Sequence, residues 1–509
     1  MRSPLEKHVL PKLRSLESIL QPINRLPTDV FILIPCFFTD IKDDWRAFPM
    51  NKPLIAMTHV CRSWRNLLLS TSSLWVQIDF STLNSKQAMG FLRRSGKHLL
   101  NVNQYLENDD HVEPFLSTTL HNIHRLWRLE IGSCLLHLEH VLARFRRSAP
   151  ELKHLEIRND PNITNRDTVL PETMFAGQFP KLTTLSLIHI SPNLNHFNMP
   201  SLTRFDFMTN TDTSVPELTF FFERCPSLEF IQLRFNYSPQ LPTAPPGKRV
   251  RLAALEELRL DRTVLTSGLL DHLILPKCTE ILLEGQLIGE KFDEHGDPAA
   301  RIHPSSIDYL PVMRGITKAV ATPSSCVFSG PNGNLRFWPF YEPRDSFDAE
   351  FFASFSPISV LEIRELLVGT KTESYFGTGR RLWKQTAARV RGAFGVLTKV
   401  EDLTIVSCET VPFFTALGAT VDGATLLPGL RKLAIYVGCG DLNVSALIRC
   451  ARARLERSLP LREVIIVFEN EPGAGLIREV ELLREFVEEL SYSVDTAPKL
   501  EWRDKNCDS

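Results

Sequence analysis

The stretch Leu126-Trp127-Arg128-Leu129-Glu130-Ile131 decides the fold. Its shape is apolar-x-x-apolar-x-apolar, and the alternation at its end predicts a short strand with one face buried. Working outward, the shape returns at Leu152, Leu155, Ile157, then Leu182, Leu185, Leu187, then Leu202, Phe205, Phe207. It continues at Leu228, Ile231, Leu233, at Leu255, Leu258, Leu260, and at Cys278, Ile281, Leu283. Neighbouring copies lie 20 to 30 residues apart. Pro150, Pro180, Pro200 and Pro226 stand just before copies, where a turn must lead into the strand. Helices are predicted between copies, for example over 135–147 and 216–224.

Strand, turn, helix and return to a parallel strand at this spacing is the leucine-rich-repeat design. A single unit cannot bury its apolar face, so the copies must stack. The series breaks over 285–350, which is rich in Gly, Pro, Asp and Ser. Within it Ser329-Gly330-Pro331-Asn332-Gly333-Asn334 predicts a hairpin turn between Val327-Phe328 and Leu335-Arg336-Phe337-Trp338. The pattern resumes at Val360-Leu361-Glu362-Ile363, then at Val400, Leu403, Ile405, at Leu430, Leu433, Ile435, and at Leu461, Val464, Ile466. A helix is expected around 380–394. A last one is expected from Leu476, Val480, Leu483, Val487 and Leu490, which recur at helical spacing.

At the other end, Leu5, Val9, Leu13, Leu16 and Leu20 form one apolar stripe and predict a helix that Pro22 ends. The expected organisation is an α/β repeat protein. An N-terminal helix (1–24) and a short helical module (25–80) precede a leucine-rich-repeat-like solenoid (81–284). An irregular insertion with a hairpin (285–350), a second part of the solenoid (351–500) and a polar tail (501–509) follow.

Composition narrows the class. Hydrophobic residues make up 43% and charged residues 23%, which suits a folded body and not a disordered chain. Lys+Arg (58) and Asp+Glu (59) nearly cancel, so no global field attracts nucleic acid or an anionic membrane. Arg144, Arg146 and Arg147 read as the solvated side of a helix. The ten cysteines carry no C-x-x-C pair, which argues for reduced thiols in cytoplasm or nucleus and against a disulfide or zinc framework. Charges at Glu6, Lys7, Lys12, Arg14 and Glu17 exclude a secretory core near the start. No stretch approaches the roughly 18 apolar residues of a membrane span.

Enzyme chemistry finds no foothold. His121-Asn122-Ile123-His124 and His137-Leu138-Glu139-His140 space their imidazoles at i, i+3, not the i, i+4 of H-E-x-x-H, and no third metal ligand is in view. Gly377-Thr378-Gly379-Arg380 lacks the third glycine and the Lys-Ser/Thr of a phosphate loop. There is no G-x-S-x-G elbow. No cofactor and no metal are expected.

The helical module carries the functional reading. It opens Leu26-Pro27-Thr28-Asp29-Val30-Phe31-Ile32-Leu33-Ile34 and continues, after a polar loop, Leu54-Ile55-Ala56-Met57-Thr58-His59-Val60-Cys61-Arg62-Ser63-Trp64-Arg65. It closes on Ser70-Thr71-Ser72-Ser73-Leu74-Trp75-Val76-Gln77-Ile78. Pro27 stands where a missing N–H is harmless at a helix start, and Thr28 and Asp29 place acceptors and negative charge there. Leu54, Met57, Val60, Cys61 and Trp64 predict one second helix. Pro35 predicts a kink or an early end of the first helix near Ile34.

These residues resemble the F-box-like domains common in fungal proteins, and the repeat body with its hairpin is similar to what usually follows them. The resemblance implies a substrate-recognition adaptor that docks on a Skp-type subunit and through it a cullin, holding a protein client on the repeat body for ubiquitination. The matching positions are Leu26, Pro27, Val30, Phe31, Ile34, Val60, Cys61 and Trp64, each of which could instead fill the module's own core. A scaffold that keeps the box only as a cap, independent of any ligase, is the alternative, and Pro35 favours it.

Overall fold

In a computed structural model, the second and third apolar residues of the cleanly spaced motif copies lie in strands, and the first lies at or just before the strand's start. The structure describes residues 26–39, 51–135, 137–160, 167–211, 213–235, 249–261, 268–284, 310–322, 326–338, 362–369, 386–407, 410–421, 423–437 and 442–495. The expected N-terminal helix and tail, and most of the expected insertion, lie outside these residues. The chain forms two units that meet in sequence between Met199 and Pro200.

The first unit begins with helices α1 (Thr28–Thr39), α2 (Asn51–Met57) and α3 (Arg62–Ser70). Parallel strands follow: β1 (Gln77–Asp79), β2 (Leu100–Leu106), β3 (Leu126–Ser133), β4 (His154–Asn159) and β5 (Thr184–Ile188), each paired to the next. Helices α4 (Ser85–Arg94), α5 (Val112–His121) and α6 (Leu138–Leu142) fill the crossovers. The helix expected over 135–147 is therefore a short one, with turns after it. A chain of phenylalanine rings runs through this unit: Phe80, Phe115, Phe145, Phe175, Phe179 and Phe197, with successive centroids 5.6, 6.1, 5.6, 5.8 and 5.6 Å apart.

The second unit continues the design with β6 (Arg204–Thr209), β7 (Phe230–Phe235), β8 (Glu257–Asp261) and β9 (Glu280–Glu284), all parallel neighbours. Helix α7 (Val215–Glu223) lies between β6 and β7 and opens with a capping box in which Ser214 and Glu217 satisfy each other's backbone N–H groups. A meander then interrupts the series: β10 (Lys318–Ala321), β11 (Cys326–Gly330) and β12 (Gly333–Trp338). It sits in reverse order, because its last strand pairs parallel with β9 and its first pairs parallel with β13 (Glu365–Gly369). The hairpin expected around Pro331-Asn332 joins β11 to β12, with Gly330 opposite Gly333. Gly333 has φ +131°, and a Cβ there would lie 2.0 Å from the Thr279 carbonyl oxygen, so only glycine allows the close approach to the turn before β9.

Beyond β13 the parallel order resumes through β14 (Asp402–Ser407), β15 (Lys432–Val437), β16 (Leu461–Phe468) and β17 (Val487–Val494). Helices α8 (Ala387–Val396), α9 (Val411–Leu417), α10 (Val444–Glu456) and α11 (Ala474–Glu481) pack in that sequence. Two expectations shift. The copy read at Val360–Ile363 starts too early: Val360 and Leu361 lie outside the described residues, and Ile363, Leu366 and Val368 are the buried trio, with the strand at 365–369. The last helix ends early, since Val487 and Leu490 belong to β17, a strand that pairs with β16. A spacing of three satisfies a helix, but Leu490 alone in that stretch is buried, as in a strand covered on one side.

One physical scheme repeats throughout. Every apolar residue of the cleanly spaced copies, from Leu126 to Ile466, is at most 2% exposed; each burial contributes about 1.5–3 kcal/mol. Backbone bonds step from copy to copy at the strand entries. Glu256 N donates to Glu229 O (2.8 Å), Thr279 N to Glu256 O (3.0 Å) and Asn334 N to Thr279 O (2.8 Å). Glu401 N to Arg364 O, Arg431 N to Glu401 O and Arg462 N to Arg431 O do the same at 2.8 Å each. On α10, the fully buried Arg454 donates to the carbonyls of Leu426 and Leu427 at 2.9 Å each and so ties the helix to the loop before β15. Burial pushes the thiols of Cys278 and Cys450 up to about 12, so both are protonated at neutral pH.

Candidate partner-docking surface

Helix α1 takes its first backbone bond from Phe31 N to Pro27 O (2.9 Å), so Pro27 sits where its missing N–H is not needed. Phe31 is 3% exposed and meets the ring of Trp64 edge-on, with centroids 4.6 Å apart at 68°. Leu54, Leu68 and Trp75 complete the core of the module, and Trp75 Nε1 donates to Leu68 O at 2.8 Å. The Asn51 amide bridges the strand backbone, donating to Gln77 O (2.9 Å) and accepting from Asp79 N (3.1 Å), which ties α2 to β1.

Two local expectations change here. Pro35 does not end α1, whose helical backbone runs to Thr39. The second helix is in fact two, α2 and α3, separated by the turn at 58–61. Cys61 caps α3 by accepting from Trp64 N at 3.4 Å, and Arg65 Nε donates to Thr58 O at 2.9 Å, which fixes the corner. The cysteine spacing read as a helical position is therefore a cap.

The eight positions separate by exposure. Leu26 (38%), Val30 (41%) and Val60 (60%) are exposed, as is Pro27, while Ile34, Cys61 and Trp64 are half-buried and Phe31 is in the core. Leu33, 55% exposed, was not singled out in the sequence. It lies at i+3 from Val30 on α1, so the two share one outward side of the helix, and the exposed Leu26 stands two residues before the helix begins. The signal was present: in Val30-Phe31-Ile32-Leu33-Ile34 the apolar run is too continuous for one helix face, so part of it had to face outward.

A second surface lies on the open face of the sheet, opposite the buried leucines. Because the strands pair in register, the x positions of the motif stack into rows. In the first unit Asn103, Glu130 and Glu156 form one, and the ion pairs Arg128–Glu130 and Arg158–Glu156 (2.6 Å) lie across it. Burial raises the carboxyl of Glu130 above its ordinary range, with Arg128 opposing the shift. In the second unit Arg204 lies over the Phe230 ring at 3.7 Å and Arg259 at 5.3 Å, with Arg234–Asp206 (3.4 Å), Arg259–Glu257 (2.5 Å) and Arg336–Glu280 (2.9 Å) paired around them.

Across β10, β13, β14, β15 and β16 the rows differ. Lys318, Glu365, Asp402, Lys432 and Glu463 form an ionic row in register, and Val320, Leu367, Thr404, Ala434 and Ile465 form an aliphatic row beside it. A cleft opens over Val320, Leu367 and Thr404 and is rimmed by Glu365, Asp402 and Lys432.

Among the described residues no group of acidic, histidine and cysteine side chains is arranged to hold a metal, and no helix is long and apolar enough to cross a membrane. Comparison with protein-family models and with curated proteins finds no match to this chain.

Proposed function

We propose that this chain is a substrate-recognition adaptor of a Skp–cullin–F-box ubiquitin ligase. Its helical module docks on a Skp-type subunit, and the stacked strand-and-helix units form a leucine-rich-repeat-like solenoid that holds a protein client. The supporting observation is the exposed apolar set of Leu26, just before α1, Val30 and Leu33 on α1, and Val60, on a module whose interior is already filled by Phe31, Leu54, Trp64 and Leu68. Apolar side chains displayed on a filled module gain about 1.5–3 kcal/mol each when a partner covers them, and a few such anchors make a specific contact. The action is positional: the adaptor raises the effective concentration of a client lysine near the ubiquitin carrier, and no residue of this chain does chemistry. This reading places the protein in the cytoplasm or nucleus.

A ligase-independent scaffold is favoured by one observation: Phe31 and Trp64 pack on each other, which leaves fewer aromatic anchors for a partner. The test is co-expression with a fungal Skp-type subunit and pull-down of the full chain beside Leu26→Glu/Val30→Glu/Leu33→Glu. Association of the wild type and its loss in the variant, with circular dichroism unchanged, is the expected result. Met89→Glu, at an exposed apolar site on α4, is expected to bind as wild type. No association of the wild type, or equal association of the triple variant, would sink the adaptor reading in favour of the scaffold.

A further inference from the structure

The ion pairs along the cleft in the second unit leave one carboxylate over. Lys318 pairs with Glu365 (2.6 Å) and Lys432 with Glu463 (2.8 Å), so the two cations that line the cleft are engaged, and Arg364, beside it in sequence, pairs with Glu401 (3.9 Å). Asp402 sits in the middle of the row, in register between Glu365 and Lys432, and is in no ion pair among the described residues. Burial, together with Glu365, Glu401 and Glu463, pushes its carboxyl up, and Lys432 only partly opposes them. Next to it the floor is aliphatic: Val320, Leu367 and the methyl of Thr404 are half-buried with no chain packed over them among the described residues.

We propose that this cleft binds a lysine or arginine side chain of a protein partner, its methylenes lying along Val320 and Leu367 and its cation on Asp402. The two halves of the cleft select that chemistry together. A bare inorganic cation gains nothing from the aliphatic floor. An apolar side chain covers the floor but strips more water from a carboxylate that is in no ion pair, which is unfavourable. A long cationic side chain does both, since its stem is apolar and its head is charged. As the client site of a ligase adaptor this inference rests on the reading above; as a cleft that selects a basic side chain it does not need it.

The experiment titrates the full chain, without any Skp-type subunit, with acetyl-Ala-Lys-Ala-amide, acetyl-Ala-Arg-Ala-amide and acetyl-Ala-norleucine-Ala-amide, read by saturation-transfer NMR. Saturable binding of the lysine or arginine peptide is expected, weaker by about tenfold for the norleucine peptide and for Asp402→Asn. Asp206→Asn, in the ionic region of the same unit, is expected to leave binding unchanged. Equal binding of the norleucine peptide, full binding by Asp402→Asn, or no saturable binding would overturn the proposal. So would concentration-dependent self-association that Asp402→Asn abolishes, which would make a second copy of the chain the occupant. Peptide binding alongside a failed pull-down sinks the adaptor reading alone; the reverse sinks the cleft alone.

Discussion

Across β6 to β9 the outward rows of the second unit are ionic and aromatic, with Arg204 and Arg259 over Phe230 and carboxylates paired to their arginines. Across β13 to β16 an ionic row runs beside an aliphatic one, and Asp402 is left without a paired cation among the described residues. The buried faces of the two regions are alike: aliphatic side chains stack down both, with Phe205 and Phe207 on β6, at no more than 2% exposure. The motif's apolar positions therefore set the fold, and its x positions are left free to differ. That division separates what holds the body together from what a partner can meet.

The comparison can be broken at its base. Leu258→Ala and Leu403→Ala sit at equivalent motif positions on β8 and β14, both fully buried, and each is expected to lower stability by about 2–5 kcal/mol in urea unfolding. A small effect in one region alone would show that the two are not built alike. The seam between them is tested by Gly333→Ala, whose Cβ would meet the Thr279 carbonyl. A loss of about 3 kcal/mol is expected from that strain.

The finest test is pH. Asp402 is raised in the folded chain, so the folded state holds its proton to higher pH than the unfolded state does, and stability falls as pH rises through the carboxylate range. Glu365, Glu401, Glu463 and Lys432 are the charged groups that act on it. Asp402→Asn is expected to remove that downward slope between the ordinary aspartate value and its raised one, measured as the urea midpoint against pH. A variant that keeps the slope would show that Asp402 is not the strained carboxylate.

Much of the α/β fold was readable because Leu129, Ile131 and their counterparts sit at period two, a pattern a helix does not produce. The rows on the open face were in principle readable too, by aligning the copies and reading down the x columns: Glu365, Asp402, Lys432, Glu463. A second period went unused, Phe115, Phe145 and Phe175 at intervals of 30 residues, the rings that join end to end in the first unit. What could not be read was which side of α1 faces inward. Val30, Phe31, Ile32, Leu33 and Ile34 are all apolar, and only the position of Trp64 selects Phe31 for the interior. The meander's reversed order was equally invisible, since a hairpin signal says which strands pair with each other and nothing about which outer strand meets which neighbour.

That reversed order has a consequence for how the chain can be assembled as it is made. The free edge of β9 is completed by β12, the last strand of the meander to be synthesised, and not by β10, which emerges first. A nascent chain that has reached β11 therefore carries an open parallel edge on β9 and a β10–β11 hairpin that cannot close it. Edge strands left open in this way are templates for pairing with other chains. Pauses in translation before Gly333 would thus be the moments of greatest exposure to misassembly.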